Sequence, residues 1–468
     1  MANKIRKILL VSPRYTLFKD DVRRCVAPIG LAYLAAFLEK DGYEVKILDA
    51  AAEGYDNVKI HGEFLTYGLD DEEIRKKIIE FNPDVVGVSC IFSTQYENVK
   101  KVLKLVDDID PNITTMVGGS HPTYAVDEVL DLGNVDYIVM GEAELSTLQL
   151  LNTLNTGGDV SEIGGLAYRK DGKNISNNRL QYIQNVDDLP SPARHLLNME
   201  LYFKINLPQN PYTCGKRVAQ VITSRGCPAR CVFCTTTNFW GNRYRGRSAE
   251  GVVKEIRELK EKYNIDEIQF TDDNLTLEKK RAMDILDGIK NLGLMWCLPQ
   301  GIAVWALDEE LLEKMKESGC YQLTFAIESG NQHVLTDIIK KPLNLEKVKP
   351  LVKKAHELGI NLHAFCICGL PGETVEQMYE TYNFVLDCGF ESASFFLATP
   401  LIGSELLKIC REKGYLSEDM TCNKQLFKIG NITTPEFKAE EIQSLVEQFN
   451  RDYNRNDKRE KRFEDGKY

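Results

Sequence analysis

Short runs of β-branched and aliphatic residues alternate along most of the chain with segments whose apolar positions recur every three or four residues. Lys7–Ser12 (KILLVS) reads as a strand, 28–40 as a helix with a small-residue face at Gly30, Ala32, Ala35 and Ala36, and Glu44–Asp49 as a second strand. An acidic loop is expected next, then a helix over 70–81, a strand over 84–89, a helix over 96–108, and strands over 113–117 and 137–140. Five strands separated by helices predict an open, parallel, doubly wound sheet of α/β type, Rossmann-like or flavodoxin-like. Ligands of such sheets sit beyond the carboxyl ends of the strands. Small and polar residues gather there: Ser12, Pro13 and Arg14; Ser89, Ser93 and Thr94; Gly118, Gly119 and His121; Gly141 and Glu142.

A second alternating series begins near Arg217, with strands expected over 218–223, 267–272, 295–301, 322–326, 361–368 and 391–396. Ser248 is a natural N-cap for the helical pattern of Val252, Val253, Ile256 and Leu259. Six strand–helix units predict a partial (β/α)6 barrel, with a second doubly wound sheet as the alternative. Between the two series lies a stretch with one hairpin and a run of Pro190 and Pro192, which discourage helix. The expected domains are 1–160, a linker with hairpin at 161–212, a barrel at 213–400, and a helical extension with a charged tail at 401–468.

Composition narrows the class. The 468 residues are 43% hydrophobic and 27% charged, which excludes disordered and collagen-like chains and leaves room for well-buried cores. The formal net charge of −11 argues against a general nucleic-acid partner. The longest apolar run, 29–38, contains a glycine and stops at Glu39, Lys40 and Asp41, too short for a membrane span. Thirteen cysteines without a secretory leader point to a reducing, cytoplasmic setting, where they act as free thiols, metal ligands or catalytic groups.

Three of them are arranged for chemistry. Arg225-Gly226-Cys227-Pro228-Ala229-Arg230-Cys231-Val232-Phe233-Cys234 follows the first barrel strand with the spacing C-x3-C-x2-C. Thirteen cysteines scattered at random over this length would produce such a triplet only about 0.01 times. Cysteines at i, i+4 and i+7 also share a helical face, but Gly226 and Pro228 interrupt a helix there. Zinc wants a fourth protein ligand, and no paired C-x2-C or H-x3-H follows. An iron–sulfur cluster held by three thiolates leaves one iron open to a ligand that is not protein. Cys366 and Cys368 alternate on one strand and read as buried thiols, and the other cysteines show no ligand spacing.

The triplet, with Phe233 before its last cysteine, resembles the signature of radical S-adenosylmethionine (SAM) enzymes. The resemblance implies a [4Fe-4S] cluster on Cys227, Cys231 and Cys234, whose open iron chelates SAM and cleaves it reductively to a 5′-deoxyadenosyl radical. It also implies SAM-binding roles for Phe233 within the loop and for residues at later strand ends: Asp272, Asp273 and Asn274 for the amine, Glu328 and Ser329 for the ribose, and Gly369 and Gly372 of the Gly-Leu-Pro-Gly-Glu segment for the adenine. No catalytic side chain beyond the cluster is assigned. Asp-Asp-Asn after a strand is equally a helix cap, and Ser329-Gly330 equally a plain turn.

The front sheet resembles the cobalamin-binding subclass of that family through 28–35, 118–123 and 141–144. No D-x-H-x-x-G occurs, so neither His61 nor His121 is expected to ligate cobalt; a nucleotide-binding sheet is disfavoured because G-x-G-x-x-G is missing after the first strand. The resemblance implies methylation of an unactivated carbon of a small molecule via methylcobalamin, with an external one-electron donor of flavodoxin or ferredoxin type. The alternatives are a cobalamin-dependent radical oxidation or cyclisation, and, from another class, a corrinoid or iron–sulfur electron-transfer protein.

Overall fold

The computed structural model describes residues 4–416 and 427–454. It divides into two compact units, Met1–Pro208 and Gln209–Tyr468.

In the first unit, strands β1 (Lys7–Ser12), β2 (Glu44–Asp49), β3 (Val85–Ser89), β4 (Thr114–Gly118), β5 (Tyr137–Val139), β6 (Leu166–Lys170) and β7 (Lys173–Ser176) form one sheet in the order β7-β6-β5-β4-β3-β1-β2. The five strands β2-β1-β3-β4-β5 are mutually parallel, the flavodoxin-like order that the sequence pattern predicted. Ile8, Leu9, Leu10 and Val11 are all buried, because β1 is covered on both faces and every position must be apolar. The helix Ile29–Lys40 packs its small face inward, with Ala32 and Ala35 wholly buried. The helix Asp71–Phe81 begins in a reciprocal capping box between Asp70 and Glu73.

Two stretches depart from expectation. The acidic loop after β2 is instead a short helix, Ala50–Glu53, and a hairpin of Val58–His61 and Phe64–Tyr67. That hairpin joins Tyr15–Phe18 in a three-stranded antiparallel sheet. Its outer strand, Val58-Lys59-Ile60-His61, alternates apolar and polar residues over only four positions and is exposed at all of them, so neither face marks a core. The segment expected as a linker over 161–212 is largely built into the first unit. Its hairpin, β6 and β7, turns at Asp171 and Gly172, both at positive φ, and extends the sheet as an antiparallel edge. Further on, the hydroxyl of Tyr202 donates to Asp49 Oδ2 at 2.7 Å and ties the helix Met199–Ile205 to the end of β2.

In the second unit, β8 (Val218–Val221), β9 (Glu267–Phe270), β10 (Met295–Ile302), β11 (Cys320–Glu328), β12 (Asn361–Cys368) and β13 (Ser392–Leu397) are all parallel and neighbour one another in chain order. A doubly wound sheet would reverse its strand order midway. This one does not, and it is the partial barrel. The last strand is an edge, and the helix Ala439–Tyr453 covers it. Asn450 receives the amide of Phe395 at 2.9 Å and donates to its carbonyl at 2.8 Å; Asn454 does the same to Ala393 at 3.1 and 2.7 Å. Four helical residues rise about 6 Å and two strand residues about 6.6 Å, so side-chain amides at i and i+4 fall in step with the free backbone groups of an edge strand. The charged tail beyond Asn454 and Cys422 lie outside the described residues.

Candidate active site

The cysteine loop grows from the end of β8. Ser224–Arg225 pairs with Arg245–Gly246, and Gly226 follows at φ +84, where an added Cβ would sit 2.4 Å from the Arg243 carbonyl oxygen. Only glycine fits that approach, and it turns the chain out of the strand into Cys227. No helix runs through the three cysteines. The loop is pinned at buried Val232, whose amide donates to Ile339 O at 3.0 Å and whose carbonyl accepts from Leu406 at 2.8 Å. Cys227, Cys231 and Cys234 are free and half-exposed, with Phe233 half-buried between the last two. Burial raises all three thiols, Cys231 to about 12, and Cys231 and Cys234 each also feel another thiol of the set. Thiols that resist ionising on their own are suited to a cationic centre that ionises them together. Among the described residues no three His, Cys, Asp or Glu side chains gather around a single ion. The fit of this loop to a cluster therefore rests on its donor set.

The expected SAM-binding positions separate into two kinds. Asp272 is fully enclosed: it accepts from the amide and hydroxyl of Thr223 and from the Ser224 hydroxyl, at 3.0, 2.7 and 2.6 Å. It locks the ends of β8 and β9 together. Ser329 is likewise internal, its hydroxyl 3.1 Å from that of Thr381 and accepting from the Asn331 amide at 3.2 Å. By contrast, Asn274 is 1% exposed, neither of its amide atoms bonds a protein nitrogen or oxygen, and its side chain lies within reach of the Cys227 thiol, whose ionised form it favours. The hydroxyl of buried Thr276 is also unpartnered. Buried polar groups without partners are rare in native folds. Asp273 is exposed, 3.3 Å from the Thr236 hydroxyl, with its carboxyl pushed up to about 6 by surrounding protein and by Asp272.

Glu328 ends β11 in the left-handed region, φ +66, just past a register shift against β12. Its carboxylate meets Lys341 at 2.9 Å in a pair that is almost wholly buried. Lys341 carried no signal in the sequence; it follows a π-helical stretch, Val334–Ile339, that no periodicity rule anticipates. Gly369 and Gly372 sit at φ +86 and +91. Between them and the next helix, fully buried Glu373 accepts from the amides of Gly369 and Leu370 at 2.8 and 3.1 Å, while its other oxygen is unpartnered. Burial pushes that carboxyl up to about 8. Cys366 and Cys368 are entirely buried.

At the carboxyl end of the front sheet the expected residues are more inwardly engaged. Arg14 pairs with Asp71. Ser93 meets His121 Nδ1 at 3.1 Å, and the imidazole is buried against Tyr96, its pKa lowered to about 4 by desolvation. Glu142 is buried and accepts from the Ile183 amide at 3.0 Å, holding the chain that leaves the sheet. Pro13 is buried, and Gly119, at φ +114, is required by the Cys90 carbonyl, 2.5 Å from where a Cβ would lie. The Gly141 amide donates to Thr123 at 3.0 Å. Ser12, Ser89, Thr94 and Gly118 are partly open, and Gly30 is exposed with nothing within 4 Å of an added Cβ. Gly30 is thus not explained by protein packing, as suits a surface on which a large flat ligand lies.

A front sheet with an open, glycine-bearing strand-end surface, joined to a partial barrel whose first loop carries three thiols, defines a two-cofactor enzyme of the SAM-cleaving kind. Residues 16–151 match the B12 binding domain and 221–385 the Radical SAM superfamily. Cytidylyl-2-hydroxyethylphosphonate methyltransferase from Streptomyces wedmorensis is 45% identical over 96% of this chain and 90% of its own. An uncharacterised methyltransferase, PH0819, from Pyrococcus horikoshii is 35% identical over 86% and 83%. The solved radical SAM methyltransferase TsrM from Kitasatospora setae shares the fold, with a TM-score of 0.71 at 20% identity over 88% of this chain and 77% of that one. The chain belongs to the cobalamin-dependent radical SAM enzymes, and its cofactors are a [4Fe-4S] cluster, SAM and cobalamin. No helix among the described residues is long and apolar enough to cross a membrane.

Proposed function

We propose that this enzyme transfers a methyl group to an unactivated carbon of a small, nucleotide-linked phosphonate or a close chemical relative. One observation carries the reading: 45% identity to the cytidylyl-2-hydroxyethylphosphonate methyltransferase runs through both domains and nearly the full length of each protein. When bound, the cluster supplies one electron to SAM and the cobalamin carries the methyl group. Cys227, Cys231 and Cys234 hold the cluster, and the Val232 backbone bonds keep their loop in place. Asn274 and Thr276 meet the polar atoms of SAM beside it, Asp273 receives the ammonium, and Gly369 and Gly372 let the backbone lie close to the adenine. Glu328 keeps one carboxylate oxygen on Lys341 and offers the other to a ribose hydroxyl. Phe233 shields the thiols from water. Asp272 and Ser329 shape the site without touching SAM. On the front sheet, Gly30, Ser12, Ser89, Thr94 and Gly118 form the cobalamin-facing surface, with Arg14, Ser93, Gly119, His121, Gly141 and Glu142 bracing it from behind. An external one-electron donor and a reducing, cytoplasmic setting complete the reading, in keeping with the free thiols of all described cysteines.

The test is anaerobic turnover of reconstituted enzyme with methyl-deuterated SAM and cytidylyl-2-hydroxyethylphosphonate. The expected product has one C–H hydrogen replaced by a labelled methyl, with 5′-deoxyadenosine formed alongside. Steady 5′-deoxyadenosine without labelled product would set methyl transfer to this substrate aside in favour of an oxidation or cyclisation.

A further inference from the structure

Three unusual backbone features meet behind the cysteine loop. Glu328 is held at φ +66, a left-handed conformation that is strained for a residue with a Cβ. Val334–Ile339 is π-helical, and Lys340 is left-handed at φ +64. Together they deliver the ammonium of Lys341 to Glu328 at 2.9 Å, with side-chain exposures of 4% and 10%. The same ammonium lies 5.3 Å from the centre of the Trp305 ring, whose face favours a cation. Burying a lysine is costly even when it is paired, and this fold strains its backbone to do so. A purely structural ion pair has no need of that position.

The pair is also oriented. Lys341 favours the ionised form of both Cys227 and Cys231, and Glu328 opposes it less strongly at Cys231. The segment bearing Lys341 is bonded to the loop itself through the Val232 amide and Ile339 carbonyl, so ammonium and thiols are held in one frame.

We infer that Lys341 is a positioning residue for the cluster's electrostatics: oriented by Glu328, it turns a buried positive charge toward the thiolate ligands and raises the reduction potential of the cluster they hold. The inference rests on the assignment of the cluster to this loop. Adding one electron to a cluster makes it more negative, and a fixed cation held beside its ligand loop in a low-dielectric setting favours that state. Lys341 thus eases electron delivery from a donor of ordinary potential.

Redox titration of the reconstituted cluster, followed by electron paramagnetic resonance of the reduced form, tests this directly. Lys341→Met should lower the midpoint potential and Glu328→Gln should raise it, while Lys341→Arg should stay near the parent protein. A tenfold change in the one-electron reduction equilibrium would be read as a shift of about 59 mV. Opposite shifts are the signature, because general loosening of the loop would move both variants alike. Equal potentials in all four proteins, each carrying its full iron, would overturn the inference, as would shifts of the same sign. Should Lys341→Met fail to take up iron, Glu328→Gln decides alone: an upward shift supports the inference, and an unchanged or lowered potential rejects it. If the parent protein holds no cluster, the assignment of the loop fails first, and iron analysis tells the two failures apart.

Discussion

The two strand-end surfaces solve the problem of holding a cofactor in different ways. On the front sheet the polar groups at the carboxyl ends each bond the protein, Arg14 with Asp71, His121 with Ser93, Glu142 with Ile183 and Asp49 with Tyr202, while Arg14 Nε and His121 Nε2 are left over. What faces outward is small, as at Gly30. In the barrel, buried Asn274, Thr276 and one oxygen of Glu373 bond no protein nitrogen or oxygen, and Glu328 is held in a strained conformation. On the assignment proposed above, a broad ring would be received by shape on a rim whose groups are already tied to the protein. A small zwitterion would be gripped atom by atom at a site that keeps polar groups in reserve at a cost to stability.

Experiments can break this contrast or sharpen it. The largest effect belongs to Cys231→Ala, which should abolish cluster absorption and all 5′-deoxyadenosine formation while leaving cobalamin binding intact; loss of both ligands would mean the surfaces are not separate. Next come Asp272 and Asn274, two residues apart with opposite duties. Asp272→Ala strands the Thr223 and Ser224 donors and should cost about 3 kcal/mol of barrel stability, visible as a lowered Tm. Asn274→Ala removes groups that bond no protein nitrogen or oxygen, so Tm should hold while SAM affinity, measured by calorimetry, falls by about tenfold, or ~1.4 kcal/mol. A Tm drop in Asn274→Ala like that of Asp272→Ala would erase the distinction. Smaller still, Asn450→Ala with Asn454→Ala should destabilise the last barrel strand by about 1 kcal/mol per lost amide pair, measured by denaturant unfolding and by hydrogen exchange at Ala393 and Phe395.

Much of the architecture was readable from residues because it rests on local rules. β1 is apolar at four successive positions since both faces are covered, and Asp70 with Glu73 announces a helix start by chemistry alone. The C-x3-C-x2-C loop is readable because a cluster needs its ligands close in sequence. What stayed hidden depends on tertiary context. Val58–His61 alternates over only four residues and is fully exposed, so no buried face singles it out from a loop. Asp272 and Asn274 look equivalent in Asp-Asp-Asn, and only the position of Thr223 and Ser224 decides which carboxylate or amide is used up internally. Lys341 is invisible for the same reason, since its ammonium finds Glu328 through a π-helical detour.

The last test probes the front rim itself, where two opposing effects leave the parent protein nearly unchanged. Asp49 is buried and its carboxyl is raised from 3.8 to about 6, chiefly by desolvation and against the help of Tyr202. Between those values the folded first unit binds a proton that the unfolded chain does not, so this group makes the fold more stable as pH falls from 6 toward 4, and the gain is lost as pH rises through about 6. Buried His121 runs the other way. Desolvation lowers it from 6.5 to about 4, so below 6.5 the unfolded chain takes up a proton that the folded imidazole refuses, and stability falls across the same window. The two slopes oppose each other, and the parent protein should show little net dependence from them between pH 4 and 6. Removing one partner uncovers the other. Urea unfolding of Asp49→Asn should show stability decreasing on acidification through that window, and His121→Phe should show it increasing. Parallel profiles in the two variants would mean that the front rim is not closed on itself in the way its hydrogen bonds describe, and the contrast with the barrel would narrow accordingly.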